Sequence, residues 1–291
     1  MGDIKEYNRI RDSDFDVNLL SQYNLYLHVY LNNLDICVVN TEKDKLLLFE
    51  QYDFTETATD VTLLQCLKNI WENHQLLSAS LWHKVVVVMV NPEFTILPTK
   101  YYNEDTAIHY LQLNCEADWQ KHLIRQTKHY ELDAVTAFPV NREMATWLAG
   151  CYGGTSLQFV HFNSSFLQGL RMSGEDKPKQ LNILLHDDLM SIAAFGGNQL
   201  LFLNTFPQRS PQDALYFTLF VAEELEVKPE ELSVMLWGNA YYVPDTEEAI
   251  APYVNKITIG DPPSRLNYGD GFEKLPAHYA FDMYSAHFLA R

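Results

Sequence analysis

The sequence predicts an α/β protein in which one strand–hairpin–helix–strand unit occurs twice. Residues 25–39 and 181–195 share one layout, an apolar run, a polar break and a second apolar run, with Asn32-Asn33 and Asp187-Asp188 at the breaks. Turn-competent residues between apolar runs signal a hairpin. Each copy then reaches an unbroken apolar run, residues 84–90 and 232–237. Strands without alternation are those covered on both faces, as in parallel sheets flanked by helices. The spacing between copies is 156 residues at the hairpin and 148 at the later strand, so the two segments keep step.

The remaining elements follow in order. A polar turn at residues 40–45 leads to a third strand at 46–49, and Gly196-Gly197-Asn198 leads to its counterpart at 200–203. Gly-Gly-Asn readily supplies the positive φ angles of a tight turn. Asp60 precedes Leu63, Leu64, Leu67, Ile70 and Trp71, a stripe at helical spacing. The matching helix opens on Ser210-Pro211-Gln212-Asp213, an N-cap, a first-turn proline and a carboxylate at the positive end of the dipole. Residues 214–221 are apolar nearly all round, which predicts burial on more than one side. Between the copies lie a strand at 134–140, a helix at 141–148, a strand at 157–162 and a short helix capped by Asn163. Residues 173–179 are polar and turn-rich and mark the boundary between a first domain, 1–176, and a second, 177–291. Residues from about 92 to 133 have no counterpart and form an insertion in the first domain. After Trp237 come a helix at 245–253, a strand at 256–259, a Gly/Pro loop and a closing helix. Ala277, Ala280, Phe281, Tyr284 and Phe288 share one face of that helix, which is expected to dock at the seam between the domains.

Composition narrows the setting. Hydrophobic residues make up 47% and charged residues 20%, which suits a globular core. Cys37, Cys66, Cys115 and Cys151 form no Cys-x-x-Cys pair, and Cys37 and Cys66 fall inside apolar patterns; a reducing cytoplasm is the expected compartment. The first residues lack a basic and apolar leader, Glu6 argues against lipidation of Gly2, and the longest aliphatic run, 85–90, is far short of a membrane span. A net charge of −17 opposes nucleic acid and anionic lipid surfaces, and residues 201–250 carry nine carboxylates against Arg209 and Lys228.

Several groups invite a chemical role and favour a simpler one. His186-Asp187-Asp188 has metal-ligand chemistry, but adjacent residues point in different directions, so a polar turn is expected. The spacings of His109, Cys115, His122 and His129 match no zinc pattern. Ser164 and Ser165 follow a strand without the glycines of a nucleophile elbow. Glu223, Glu224 and Glu226 read as a solvated helix end. No phosphate-binding loop or dinucleotide fingerprint is present. No catalytic residue and no metal site is assigned.

Three hairpin-linked strands, then helix, strand, helix, strand, helix, used twice, resemble the actin, Hsp70 and sugar-kinase superfamily, a ribonuclease H-like, actin-like ATPase fold. Glu93-Phe-Thr-Ile-Leu-Pro98, residues 132–140 and residues 157–170 also resemble a bacterial family of unknown function, domain 3822, found mainly in Bacteroidetes. The resemblance implies two mixed five-stranded sheets flanked by helices. It also implies a cleft between the halves where the superfamily holds ATP, with an Asp and a Gly at each hairpin tip. The matching tips here, residues 30–34 and 186–190, contain no glycine, and Gly238 stands alone where a Gly pair would meet adenosine. Asn32, Asn33, Asp187, Asp188 and Gly238 are therefore the cleft positions at which a nucleotide would sit. A carboxylate about 4 Å from a phosphate charge costs ~4 kcal/mol at an intermediate dielectric. The expectation is a non-catalytic actin-like scaffold that binds a protein partner, without a cofactor and without membrane insertion. The alternative is a divergent ATPase or phosphotransferase in which Mg²⁺ joins Asp187 or Asp188 to ATP.

Overall fold

Runs such as Val85–Val88, with no polar alternation, require cover on both faces, and both runs of this kind lie inside sheets. The computed structural model describes residues 4–54, 59–79, 81–175, 177–239 and 241–290. Gly2, the proposed boundary residue Asp176, and Ala240 lie outside the described residues. In chain order the elements of the first part are β1 (Ile4–Arg11), β2 (Tyr23–Val29), β3 (Asn33–Asn40), β4 (Lys45–Phe54), α1 (Asp60–Asn73), β5 (Lys84–Met89), β6 (Thr95–Pro98), α2 (Ala107–Leu111), β7 (His122–His129), β8 (Ala134–Asn141), α3 (Arg142–Cys151), β9 (Ser156–His161) and α4 (Phe162–Ser173). The second part contains β10 (Gln180–Leu185), β11 (Leu189–Gly196), β12 (Gln199–Pro207), α5 (Pro211–Glu224), β13 (Ser233–Gly238), α6 (Val243–Ile250), β14 (Lys256–Ile259), β15 (Asn267–Tyr268) and α7 (Phe281–Leu289).

The described residues form three sheets rather than the two five-stranded sheets expected. The first has seven strands, ordered β1-β4-β3-β2-β5-β9 with β15 added beside β4; the second has five, ordered β12-β11-β10-β13-β14; the third is β6-β8-β7. The difference has three local causes. Residues 4–11 pair antiparallel with β4 and extend the first sheet. Asn267 and Tyr268 return from the far end of the chain to pair with the start of β4. The inserted segment, finally, builds its own antiparallel sheet around β8.

The strands common to both large sheets keep the same register. Leu25 faces Val38 across β2–β3, and 156 residues later Leu181 faces Ala194 across β10–β11. The parallel neighbours agree too, with Val29 opposite Met89 and Leu185 opposite Gly238. At the tips the turns are alike: the Tyr30 amide donates to the Asn33 carbonyl, and the His186 amide to that of Leu189.

One helix departs from expectation at its cap. The cap of α4 is the His161 ring, which accepts from the Asn163 amide, so Asn163, Ser164 and Ser165 fall in the first turn and are buried. On α5, Ala214, Thr218, Val221 and Ala222 are buried, but Tyr216 remains 62% and Phe220 40% exposed. The sheet below and α6 beside it cover this helix on two sides, and Tyr216 and Phe220 lie on the part that remains toward solvent.

The closing helix α7 packs against α4, β2, β3, β5 and β13. Its Phe281, Met283 and Ala286 share one apolar cluster with Tyr26 and Val86 of the first sheet and with Leu184 and Trp237 of the second. Gly169 makes the close approach of α4 possible, because a Cβ there would meet the Phe281 ring and the Ser285 hydroxyl. An acid on α7 is thereby carried into the space between the two hairpin tips.

Candidate functional site

Four elements converge between the tips. The end of β2 brings His28 and Tyr30, β3 brings Asn33 and Asp35, the β10–β11 turn brings His186 and Asp187, and α7 brings Asp282. With Gln51, Asn239 and Tyr279 they line a small cavity of about 20 Å³, room for about one water.

Asp282 is fully buried, and its Oδ2 lies 2.8 Å from His28 Nε2 and 3.4 Å from His186 Nε2. A carboxylate accepts, so the His28 imidazole presents an N–H to it, while His186 Nε2 stands at ion-pair distance and makes no hydrogen bond among the described residues. The Tyr30 hydroxyl and His186 Nδ1 share a hydrogen bond of 2.5 Å. Tyr30 and His186 are themselves 156 residues apart, so corresponding tip residues of the two sheets touch. Burial alone would push the Asp282 carboxyl up; the imidazoles of His28 and His186 outweigh it and hold the group well below the usual carboxylate range. Burial holds the His28 imidazole below its ordinary value, with Asp282 opposing.

Asp35 is the reverse case. Burial first, then the neighbouring carboxylates of Asp187, Asp282 and Asp53, push it well above the usual range. Its Oδ1, together with His28 Nδ1, Asn33 Oδ1 and Asp282 Oδ1, makes no hydrogen bond among the described residues. A raised carboxyl favours the fold fully below its unfolded pKa, about 4, and that contribution is lost as pH rises toward the folded value. Asp35→Asn removes this loss and places an amide donor near His28 Nδ1. It is expected to raise stability at pH 7 by about 1 kcal/mol and to change nothing below about pH 4, read by urea melts at both values.

The five cleft positions expected from sequence fall in different places. Asn32 and Asn33 both donate from Nδ2 to Asp187 Oδ2, at 3.2 Å each. Asn239 donates to Asp187 Oδ1 at 2.9 Å. Gly238 lines the same cavity with φ +114. Asp188, one residue on, points away and lines a separate, larger cleft. Of the histidines in the insertion, His122 Nε2 faces Asp60 at 3.1 Å and His129 Nε2 meets the Thr136 hydroxyl at 2.9 Å. Cys115 is buried, its thiol pushed up to about 12 by burial. His28, Asp35 and Asp282 were not expected. Their signal was present: each is a charged or titratable residue inside an otherwise apolar run, and such a residue, once buried, requires a partner.

The profile of the family described as protein of unknown function (DUF3822) matches residues 12–257. The chain belongs to the DUF3822 family. No curated protein matches it. Among solved structures, this DUF3822 chain is similar to a Bacteroides thetaiotaomicron protein described as having an actin-like ATPase fold and unknown function. The two are 18% identical over 94% of this chain and 98% of that one, with a TM-score of 0.76. It is also similar to a chain of the PilM–PilN type IV pilus biogenesis complex, at 12% identity over 91% of this chain and 96% of that one, with a TM-score of 0.53. These likenesses are of fold, and the fold is actin-like. Among the described residues no helix is long and apolar enough to cross a membrane.

Proposed function

We propose that this DUF3822 protein is a nucleotide-independent actin-like scaffold whose work is to bind another protein. The observation that carries the reading is the bridge between hairpin tips, in which Asn32 and Asn33 of one tip converge on Asp187 of the other. In an actin-like cleft the tips approach the phosphates. Here they approach each other, and the group at their meeting point is a carboxylate held by three amide donors. The tip amides of Tyr30 and His186 are already spent on their own turns, so they offer nothing to a phosphate oxygen. With two domains, 1–176 and 177–291, derived from one ancestral unit, the cleft becomes a fixed joint between halves. The PilM–PilN likeness supports the choice of a protein as partner, and the four free cysteines suit a cytoplasmic setting.

Calorimetry with ATP and Mg²⁺ tests this reading. No saturable heat is expected for any nucleoside triphosphate, with or without the metal. Micromolar binding that disappears in Asp187→Ala would replace the scaffold with a divergent Mg²⁺-dependent ATPase or phosphotransferase.

A further inference from the structure

On the far side of the Asn32 tip lies a second and much larger cleft, of about 630 Å³ and open to solvent. It sits at the carboxyl ends of β2 and β5, where α/β sheets receive their ligands. Both sheets contribute, since Leu31 comes from the first hairpin and Asp188 and Leu189 from the second. Val29, Leu63, Met89, Val90, Pro139 and Met144 give it an apolar floor, and Leu31, 44% exposed, adds an uncovered apolar side chain at the rim.

The rim is acidic: Asp60, Glu93, Glu116, Asp118 and Asp188 line it, and among the described residues no lysine or arginine does. Asp60 is engaged by His122 at 3.1 Å and Asp118 by Lys121 at 3.2 Å. Glu93, Glu116 and Asp188 take part in no ion pair among the described residues. Burial pushes the Glu93 carboxyl up, with His122 and the Glu116 backbone amide opposing and the Asp60 and Glu116 carboxylates adding to it; a cation entering the cleft would relieve that crowding.

An apolar floor under an acidic rim matches a side chain with a long aliphatic stem and a cationic head. The volume far exceeds one such side chain, and the walls come from two sheets, which fits a length of chain rather than a small amine. We infer that this cleft is the docking site for a lysine-bearing amphipathic segment of the partner protein. The inference rests on the protein-binding reading above and adds the site and the chemistry of what it receives.

The probe is a short fluorescent peptide alternating lysine and leucine, compared by anisotropy with the same peptide carrying glutamate for lysine. The lysine peptide is expected to bind saturably, and the glutamate peptide is not. Asp188→Lys, an exposed change, and Glu93→Gln should each weaken binding about tenfold without lowering the melting temperature. Glu224→Lys makes the same charge change on α5, outside the cleft, and should leave binding as it was. Failure of the lysine peptide to saturate, equal binding of the glutamate peptide, or equal weakening by Glu224→Lys would each overturn the cleft assignment. If that happens while ATP calorimetry stays silent, the scaffold reading survives without this site; if ATP binds, the scaffold reading itself falls.

Discussion

Asp282→Ala is expected to lower stability by about 3–5 kcal/mol, a fall in melting temperature on the order of 10 °C. The size follows from where the carboxylate sits. It is fully buried, hydrogen-bonded to His28 at 2.8 Å and 3.4 Å from His186 Nε2, so its removal leaves the buried His28 N–H with no acceptor and takes away the charge beside His186. Truncation also opens space where α7 meets β2 and β13. Asp282→Asn separates the contributions: it keeps one acceptor oxygen and most of the volume, loses the charge, and should recover roughly half of the loss.

The pH dependence has a definite sign. A depressed carboxyl stabilises above its unfolded pKa, about 4, and that stabilisation is lost below it. The His28 imidazole is held down by burial, and Asp282 is what opposes that burial. Without Asp282 the folded protein takes up a proton at His28 even less readily than before. The difference between wild type and Asp282→Ala should therefore widen as pH falls below about 6.5 and close again below about pH 4. Urea titrations across that range measure it. A variant within about 1 kcal/mol of wild type throughout would mean that His28 has another acceptor and that Asp282 does not join the halves.

The hairpins were readable from sequence because their information is local. Apolar runs, Asn-Asn and Asp-Asp at the breaks and a Gly-Gly-Asn turn fix β2–β3 and β10–β12 without reference to the rest of the chain, and the registers of the two sheets agree at a spacing of 156. What escaped was set by contacts distant in sequence. His28 and Asp282 are 254 residues apart, and pattern within a window cannot pair them. The same applies to β15, which reaches β4 from over two hundred residues away, and so the strand count of the first sheet could not be read. On α5 the all-round apolar pattern predicts more than one cover, and the sheet and α6 supply two; Tyr216 and Phe220 still face solvent, because neither cover reaches that side. Asn32, Asn33 and Asp187 were legible as tip residues, but their hydrogen bonds to one another were not, since the sequence named the residues at each tip and not the distance between tips.

Gly238→Ala should be nearly as damaging as loss of Asp282, at about 2–5 kcal/mol, and for a mechanical reason. The residue ends β13 opposite Leu185 with φ +114, where an L side chain is strained. A Cβ there would also collide with the Leu185 backbone. That contact cannot be relieved by a rotamer change, because the next amide, Asn239, is bonded to the Leu185 carbonyl at 2.9 Å, and Gly238 itself donates to the His278 carbonyl at 2.9 Å. Moving β13 away would pull Asn239 off Asp187 and loosen the anchor on which Asn32 and Asn33 converge. Gly174→Ala is the control: its φ is +69 but nothing lies within 4 Å of a Cβ, so it carries backbone strain alone, on the order of 1 kcal/mol. A Gly238→Ala protein that melted like Gly174→Ala would show strain to be the whole cost and the close approach of β13 to β10 to be dispensable. A much larger loss, with faster hydrogen exchange at the amides of Asn239 and His186, is the expected result, because the glycine is what lets the second sheet bring its tip up to the first.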